Sequence, residues 1–171
     1  MSHVSVAVLA ADERHILENL FQLYVHDFSE NWAGTPQGEL ENDGKFSAYP
    51  WFDHYWQDKT RIPLLIRNDG HIAGFALLNA VGHTKAAVDR NMAEFFIVRK
   101  HRRSGVGSKA VDWIFRRYPG TWEVAVVRAN TKAFAFWRNV IEHHPHVRDL
   151  DLMDVQTDAW NGPVFRFRAE G

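Results

Sequence analysis

Short runs of alternating or purely apolar residues recur along this chain. They predict seven strands, at residues 4–9, 62–67, 72–81, 92–98, 122–127, 147–153 and 164–168. Apolar residues three and four positions apart predict three helices, at residues 11–28, 104–118 and 130–141.

The segments between these elements carry recognisable stop and turn signals. Asn68-Asp69-Gly70 predicts a hairpin, and Pro119-Gly120 ends the second helix. Asn161-Gly162-Pro163 predicts a turn between the last two strands. Residues 29–45, rich in Gly and acids, predict a loop, and the aromatic-rich residues 46–56 predict a short helix. The order of elements predicts a mixed α/β fold: a central, mostly antiparallel twisted sheet flanked by helices, in one domain over residues 1–171.

Composition narrows the class of protein. The chain has 171 residues, enough for one domain with a substantial core. It has no cysteine, which excludes disulfides, thiolate metal sites and a cysteine nucleophile. The N-terminus lacks the pattern of a signal peptide, and no apolar run is long enough to cross a bilayer. We therefore expect a cytoplasmic protein without a membrane partner.

Charge is divided unequally between the two parts of the sequence. Residues 1–60 carry ten acids and three bases, a net charge of −7, whereas residues 61–171 carry eleven acids and seventeen bases, a net charge of +6. A basic part suits an anionic ligand and an acidic part a cationic one, although chance clustering of solvated charges accounts for the division equally well. The net charge of −1 argues against a nucleic-acid partner.

The main chemical signal lies between a predicted strand and a predicted helix. The segment that joins them is Arg99-Lys100-His101-Arg102-Arg103-Ser104-Gly105-Val106-Gly107-Ser108. Glycines let a ligand approach the backbone, and the free amides and dipole of a helix N-terminus favour an anion. These features predict a pyrophosphate site. The run 105–110 also fits a G-x-G-x-x-A dinucleotide fingerprint, but that fingerprint opens a doubly wound domain, and too little chain follows here. The chain has no Walker loop, G-x-x-x-x-G-K-[ST].

This segment resembles the GNAT superfamily of N-acetyltransferases. Residues 102–107 match that family's R-x-x-G-x-G loop, and Phe95-Phe96-Ile97 matches its splayed fourth strand. On the next helix, the family's N-x-x-A-x-x-[FL]-Y motif is matched by Asn130, Ala133, Phe136 and Trp137. The resemblance covers residues 62–141 well, and the first sixty residues only by the order of their elements.

The resemblance implies that acetyl-CoA donates an acetyl group to an amine, which attacks the thioester directly. The acceptor is expected to be a primary amine of a small cationic molecule. The backbone of Phe95 and Ile97 would pair with the pantetheine arm, and one amide would stabilise the developing oxyanion. The other residues implied to bind the donor are Phe96, Arg102, Arg103, Ser104, Gly105, Val106, Gly107, Ser108, Asn130, Phe136 and Trp137. The resemblance also makes a homodimer an open possibility.

Trp137 departs from the family pattern. The family often uses a tyrosine at this place as the general acid toward the leaving thiolate, and an indole cannot supply that proton. Two alternatives therefore stay open beside the small-molecule enzyme. One is a CoA-binding sensor or interaction module without catalysis, and the other is a protein or peptide N-acetyltransferase.

Candidate acid–base and acceptor residues follow from type and position. Glu94 lies in an otherwise apolar strand, where burial would raise its pKa, so it is our first candidate base. A solvent-facing or arginine-paired carboxylate is an equally good interpretation, and the family's more usual position corresponds to Asn91. Glu123 is the second candidate base.

For the amine site we predict Tyr24, Asp27 and Trp32, with Asp27 holding the cation and aromatic faces around it. For at least half of the aromatic residues between Trp32 and Trp56, core packing beneath a long loop is the favoured interpretation. His143, His144 and His146 lack the spacing of a metal site, and we expect no metal.

Overall fold

The structure, a computed structural model, describes residues 2–171. These residues contain seven strands and three α-helices, joined by loops and short 3₁₀ turns. Their bounds are β1 Val4–Val8, α1 Arg14–Phe28, β2 Ile62–Asn68, β3 His71–Asn79, β4 Arg90–Ile97, α2 Val106–Arg117, β5 Gly120–Ala125, α3 Thr131–Glu142, β6 Val147–Gln156 and β7 Asn161–Ala169.

All seven strands form one sheet in the order β1-β2-β3-β4-β5-β7-β6. Every pair is antiparallel except β4 and β5, which are parallel and joined through the crossover helix α2. The predicted mixed α/β fold with a mostly antiparallel sheet is confirmed.

The sheet separates two apolar layers. One face packs against α2 and α3 through a core that includes Ile114, Phe115 and Trp122. The other face packs against α1 through a core that includes Leu17, Phe21 and Phe75. Helix α1 therefore lies alone on its side of the sheet, and the long segment between α1 and β2 extends its layer.

Two local predictions about turns have opposite outcomes. The β2–β3 hairpin is confirmed: Asn68 pairs with His71, and both loop residues have positive φ, 50° at Asp69 and 79° at Gly70, as a type I′ turn requires. The turn predicted at residues 161–163 is wrong, because β7 begins at Asn161. Gly162 serves a close backbone approach instead, since an added Cβ would lie 2.2 Å from the carbonyl oxygen of Val126.

The predicted helix at residues 46–56 is also wrong. The segment is mostly irregular and contains one 3₁₀ turn, Asp53–Trp56. Its aromatic residues pack onto α1 and β3, with Phe52 and Tyr55 buried. These aromatic residues are buried beneath a long connection, and their spacing does not follow the period of a helix.

Strand β4 contains an irregularity that determines which way its side chains point. Leu77 of β3 pairs with Glu94, and Leu78 pairs with Met92, so Ala93 is an extra residue in β4. Such a bulge interrupts the alternation of side chains. Met92 consequently packs in the α2–α3 core, while the Glu94 carboxylate meets Tyr24 of α1 on the opposite face.

Candidate active site

The parallel strands β4 and β5 separate soon after they meet. They pair only at Arg90 with Trp122 and at Asn91 with Glu123. Beyond these positions the facing strand edges have no strand partner, and a cleft of about 390 Å³ opens between β4, β5, α1 and α3. This fork agrees with the splayed strand that the family resemblance implies at Phe95-Phe96-Ile97.

The loop that leads into α2 presents free backbone amides. Arg103 and Gly105 adopt left-handed backbone conformations, with φ of 61° and 79°. The six amides of residues 103–108 have no protein acceptor within residues 2–171, and the next amide, that of Lys109, donates to the Gly105 carbonyl at 3.0 Å. Consecutive free amides at a helix N-terminus suit an anion, so the loop fits the predicted pyrophosphate site.

Two of the three arginines of this loop, Arg99 and Arg102, bind protein groups. Arg102 donates from Nε to the carbonyl oxygen of Ile97 at 2.7 Å and from Nη2 to Asp27 at 2.7 Å, and its guanidinium lies over the Phe96 ring. Arg99 donates to the other oxygen of Asp27 at 2.8 Å. Arg102 therefore braces the loop against β4 and the last turn of α1.

Asp27 lies outside the cleft. Burial tends to raise its pKa, but hydrogen bonds from Arg102 and Arg99 outweigh this and lower the pKa below its usual value. A carboxylate that two arginines neutralise is poorly suited to hold a substrate cation. The geometry thus speaks against the cation-binding role predicted for Asp27, and the reason is an ion pair with residues more than 70 positions away.

Phe95 of β4 and Trp137 of α3 line the cleft, and Phe136 of α3 packs beside them. The rings of Phe95 and Phe136 stack with centroids 5.8 Å apart, and Trp137 packs edge-on against Phe95 at 5.1 Å. Gly107 makes room for Phe136, because an added Cβ would lie 3.2 Å from that ring. Asn130 caps α3 by accepting a hydrogen bond from the amide of Ala133, as predicted.

The remaining predicted donor-site residues lie around the same loop. Val106 and Ile97 are buried in the α2–α3 core, and Phe96 is buried on the α1 side. The Ser104 hydroxyl donates to the His101 carbonyl oxygen at 3.0 Å. Contacts of Phe96, Ile97 and Val106 with the donor would therefore come from their backbone.

Glu94 lies in the cleft wall with its carboxylate against α1. The Tyr24 hydroxyl donates to Oε2 of Glu94 at 2.6 Å. The removal of the carboxylate from water raises the pKa of Glu94 to about 7, against the opposing effect of hydrogen bonds from Tyr24 and Tyr49. A carboxyl group with this pKa is half ionised near neutral pH and can accept a proton there.

Aromatic side chains enclose the cleft beside Glu94. Phe28, Trp32 and Tyr49 line it together with Tyr24. Trp32 packs edge-on against Phe28 with ring centroids 4.8 Å apart and also lies against Gly38, where a Cβ would clash at 2.5 Å. Tyr24 and Trp32, both predicted as acceptor-site residues, therefore lie in the same cleft as Glu94.

Trp160 completes the opposite wall and was missed by sequence reasoning. It lies just before β7, lines the cleft, and packs edge-on against His83 with ring centroids 4.6 Å apart. Its large aromatic side chain, in the segment between the last two predicted strands, was the one available signal.

Glu123, the second candidate base, has a fully buried side chain with its oxygens already occupied. It accepts hydrogen bonds from the His83 amide at 2.6 Å, from Arg166 at 2.8 Å and from the Thr84 hydroxyl. Burial alone would raise its pKa, but these partners lower it below the usual value. This geometry favours a structural role, in which Glu123 attaches the β3–β4 connection to β5 and β7.

Substitution of Glu123 by glutamine is therefore expected to destabilise the protein. The change leaves the largely buried Arg166 unpaired, which typically costs about 3–5 kcal/mol of unfolding free energy. Because folding lowers the pKa of Glu123, its contribution is present above the unfolded pKa of about 4.5 and is lost as the pH falls through the folded pKa. Denaturant unfolding at several pH values measures this difference.

Glu142→Gln is the matched control for that prediction. Glu142 pairs with Arg138 at 2.9 Å on the exposed surface of α3, where such pairs contribute at most about 1 kcal/mol. Equal losses in the two variants would show that the Glu123 pair is not a structural anchor.

No group of three His, Asp or Glu side chains within residues 2–171 is placed to hold a metal ion. Within the same residues no helix has the length and apolar character needed to cross a membrane.

Comparison with known proteins agrees with this geometry. A model of the Acetyltransferase (GNAT) family matches residues 17–140. A search of curated proteins gave no match.

Among solved structures, an acetyltransferase from Thermus thermophilus superposes with a TM-score of 0.62 at 15% identity, over 96% of each chain. The aminoglycoside acetyltransferase AAC(6')-Ib, in complex with coenzyme A and kanamycin, has a TM-score of 0.62 at 11% identity, over 98% of this chain and 95% of that one. The PaiA N-acetyltransferase from Thermoplasma acidophilum, in complex with coenzyme A, has a TM-score of 0.57 at 10% identity, over 97% and 99%. The fold is shared by all three, and from the family match over residues 17–140 we conclude that the chain belongs to the GNAT acetyltransferase family.

Proposed function

We propose that this protein transfers the acetyl group of acetyl-CoA to the primary amine of a small cationic molecule. One observation carries the proposal: a single fork in the sheet lies between free amides suited to a pyrophosphate and a half-ionised carboxylate suited to an amine. Among similar structures, one binds kanamycin, and another is a spermidine N-acetyltransferase chimera.

The donor half of the site consists of the α2 loop and the open edge of β4. The amides of residues 103–108 would hold the pyrophosphate, and the unpaired edge of β4 beyond Asn91 would accept an extended chain as an added strand. Phe95, Phe136 and Trp137 supply the apolar wall beside it. Acetyl-CoA, when bound, supplies the thioester carbon.

The acceptor half consists of Glu94 and the aromatic residues of α1 and the following loop. In the transfer, the amine nitrogen forms a bond to the acetyl carbon, the carbon–sulfur bond breaks, and CoA leaves as the thiolate. Before the attack, the ammonium group of the acceptor gives one proton to Glu94, which is ionised in about half of the molecules at pH 7. The second proton, which the nitrogen loses as the amide forms, goes to water. Tyr24 holds the carboxylate in place through its 2.6 Å hydrogen bond.

Trp137 keeps a second candidate function open. The residue is buried in the cleft wall where the family often has a tyrosine, and its indole has no proton to give at neutral pH. A protein that binds CoA as a signal without catalysing transfer would keep the α2 loop and dispense with an acid. In the enzyme, the thiolate leaves unprotonated and takes its proton from water.

Release of free thiol from acetyl-CoA distinguishes these functions. We expect release that depends on an added primary amine, and the acetylated amine as the second product in equal amount. Acetyl-CoA binding without release, for every small amine and for peptides with free amines, would establish the binding module. Labelling of peptides alone would establish a protein N-acetyltransferase.

A further inference from the structure

We propose that the acceptor is an arylalkylamine, a primary amine with one positive charge attached to a planar aromatic group. The inference rests on the proposed function and specifies its substrate class. Charge, wall composition and size of the cleft each support it.

The cleft offers one charged partner. Among the described residues that line it, Glu94 is the only side chain that carries a charge at neutral pH. His83 lies behind Trp160, and burial lowers its pKa, so that it is neutral there. One carboxylate is suited to one ammonium group.

The nearby acids outside the lining are already paired. Asp27 binds Arg99 and Arg102, and Glu30 lies 3.6 Å from Lys132. Glu123 is enclosed by Arg166 and the β3–β4 connection. A second ammonium group in the cleft would lose its water without gaining a counter-ion, which is strongly unfavourable.

The walls are aromatic on both sides. Phe21, Tyr24, Phe28, Trp32 and Tyr49 lie on the α1 side, and Trp160 lies on the other. Aromatic pairs favour offset or edge-on geometry at 4.5–7 Å, and the faces also attract a cation. An aromatic ring between these walls, with its ammonium group toward Glu94, satisfies both preferences.

The aromatic side chains of the walls are held by contacts with one another and with the backbone. The Phe21 and Tyr49 rings are 4.7 Å apart, and Trp32 is fixed between Phe28 and Gly38. The binding of a flat group therefore requires little ordering of side chains.

The size of the cleft limits the acceptor to a small molecule. Its volume of about 390 Å³ is near the lower end of the 300–1,000 Å³ typical of ligand sites, and it must also hold the thioester end of the donor. This space is too small to enclose a bulky oligosaccharide amine.

A second cavity provides the main competing occupant, a diamine. It has a volume of about 660 Å³, lies between α1 and residues 41–53, and shares Phe21 and Tyr49 with the cleft. Its lining includes Glu18, Glu41, Asp43 and Asp53, but Arg14 pairs with two of these acids, and the Phe21–Tyr49 contact separates the cavities. A diamine would have to displace that contact to bring its second charge to these acids.

The test compares three amines at saturating acetyl-CoA: 2-phenylethylamine, 1-aminobutane and 1,4-diaminobutane. We expect kcat/KM for 2-phenylethylamine to exceed that for 1-aminobutane by at least about tenfold, because an apolar pocket discriminates by this order. We expect 1,4-diaminobutane to be the poorest of the three. A preference for the diamine would overturn the inference and assign the second cavity to its distal charge.

Variants locate the origin of the preference. Trp32→Leu and Trp160→Leu are each expected to lower the ratio of kcat/KM between 2-phenylethylamine and 1-aminobutane. Trp51→Leu is the matched control, since Trp51 is an exposed tryptophan outside the cleft lining. Thermal unfolding of each variant separates a loss of folding from a loss of selectivity. An unchanged ratio in both cleft variants would refute the aromatic site.

The two levels of the proposal fail differently. If acetyl-CoA binds but no amine releases thiol, the proposed transfer is wrong. If amines are acetylated with no preference for the aromatic one, only the substrate class is wrong.

Discussion

Replacement of Glu94 by glutamine is expected to lower kcat by about 10²–10⁴-fold near pH 7, the usual contribution of a positioned general base. Glutamine keeps the shape of the side chain and can still accept the Tyr24 hydrogen bond, but it cannot take a proton from the amine. Steady-state thiol release at saturating concentrations of both substrates measures the loss.

The dependence of kcat on pH is a more specific test of Glu94 as the base. Burial places the pKa of Glu94 at about 7, and only the ionised form accepts a proton. Wild-type kcat should therefore rise with pH through about 7, and this step should be absent in Glu94→Gln. The loss should shrink at alkaline pH, where free amine is abundant. A variant with the wild-type profile would exclude Glu94 as the base.

Tyr24→Phe is the control that separates the base from its partner. The Tyr24 hydrogen bond lowers the pKa of Glu94, so its removal should move the step to higher pH without abolishing it.

In Glu94→Gln, a melting temperature equal to or above that of the wild type is expected, because a buried carboxylate that is hard to ionise does not stabilise the fold.

Introduction of aspartate at Gly105 is expected to weaken acetyl-CoA binding by about 100-fold. Gly105 precedes α2 among the free amides, and an added Cβ there meets no atom within 4 Å. Two like charges about 5 Å apart at an effective dielectric constant of 20 repel by about 3 kcal/mol, which corresponds to about that loss of affinity. Titration calorimetry with acetyl-CoA measures the change in Kd.

Two further variants distinguish charge from backbone strain. Gly70 has the same φ of 79° and the same open surroundings, but it lies in the β2–β3 hairpin, so Gly70→Asp should bear the same strain and retain affinity. Gly105→Ala carries the strain without the charge and should weaken binding far less than Gly105→Asp. Wild-type affinity in Gly105→Asp would mean that the pyrophosphate does not bind at this loop.

The features of this chain that could be predicted are those whose signal lies within a few neighbouring residues. The β2–β3 hairpin depends on Asp69 and Gly70, and the cap of α3 depends on Asn130, three residues before the amide it binds. The free amides of the α2 loop follow from glycines and a helix start within one short segment. Signals of this kind are complete within a few residues, so the sequence displays them.

The partner of a charged side chain could not be predicted in the same way. Asp27 and Glu123 were assigned chemical roles from their types and neighbours, yet Asp27 pairs with Arg99 and Arg102, and Glu123 with Arg166. These partners are distant in sequence and meet only after the sheet has formed. Their ion pairs decide which carboxylates stay available for a ligand.

The order of the elements, the mixed sheet and the loop of free amides before α2 could be predicted from the sequence, because each rests on short-range patterning or on local backbone geometry. The tertiary structure alone decided the direction in which Glu94 points, since the bulge at Ala93 is a property of the pairing of β3 with β4. It also decided the cleft itself, which exists because β4 and β5 separate after two paired positions, and brought Trp160 to the wall opposite Tyr24. Such features depend on how strands from distant parts of the chain meet, and no local pattern records that.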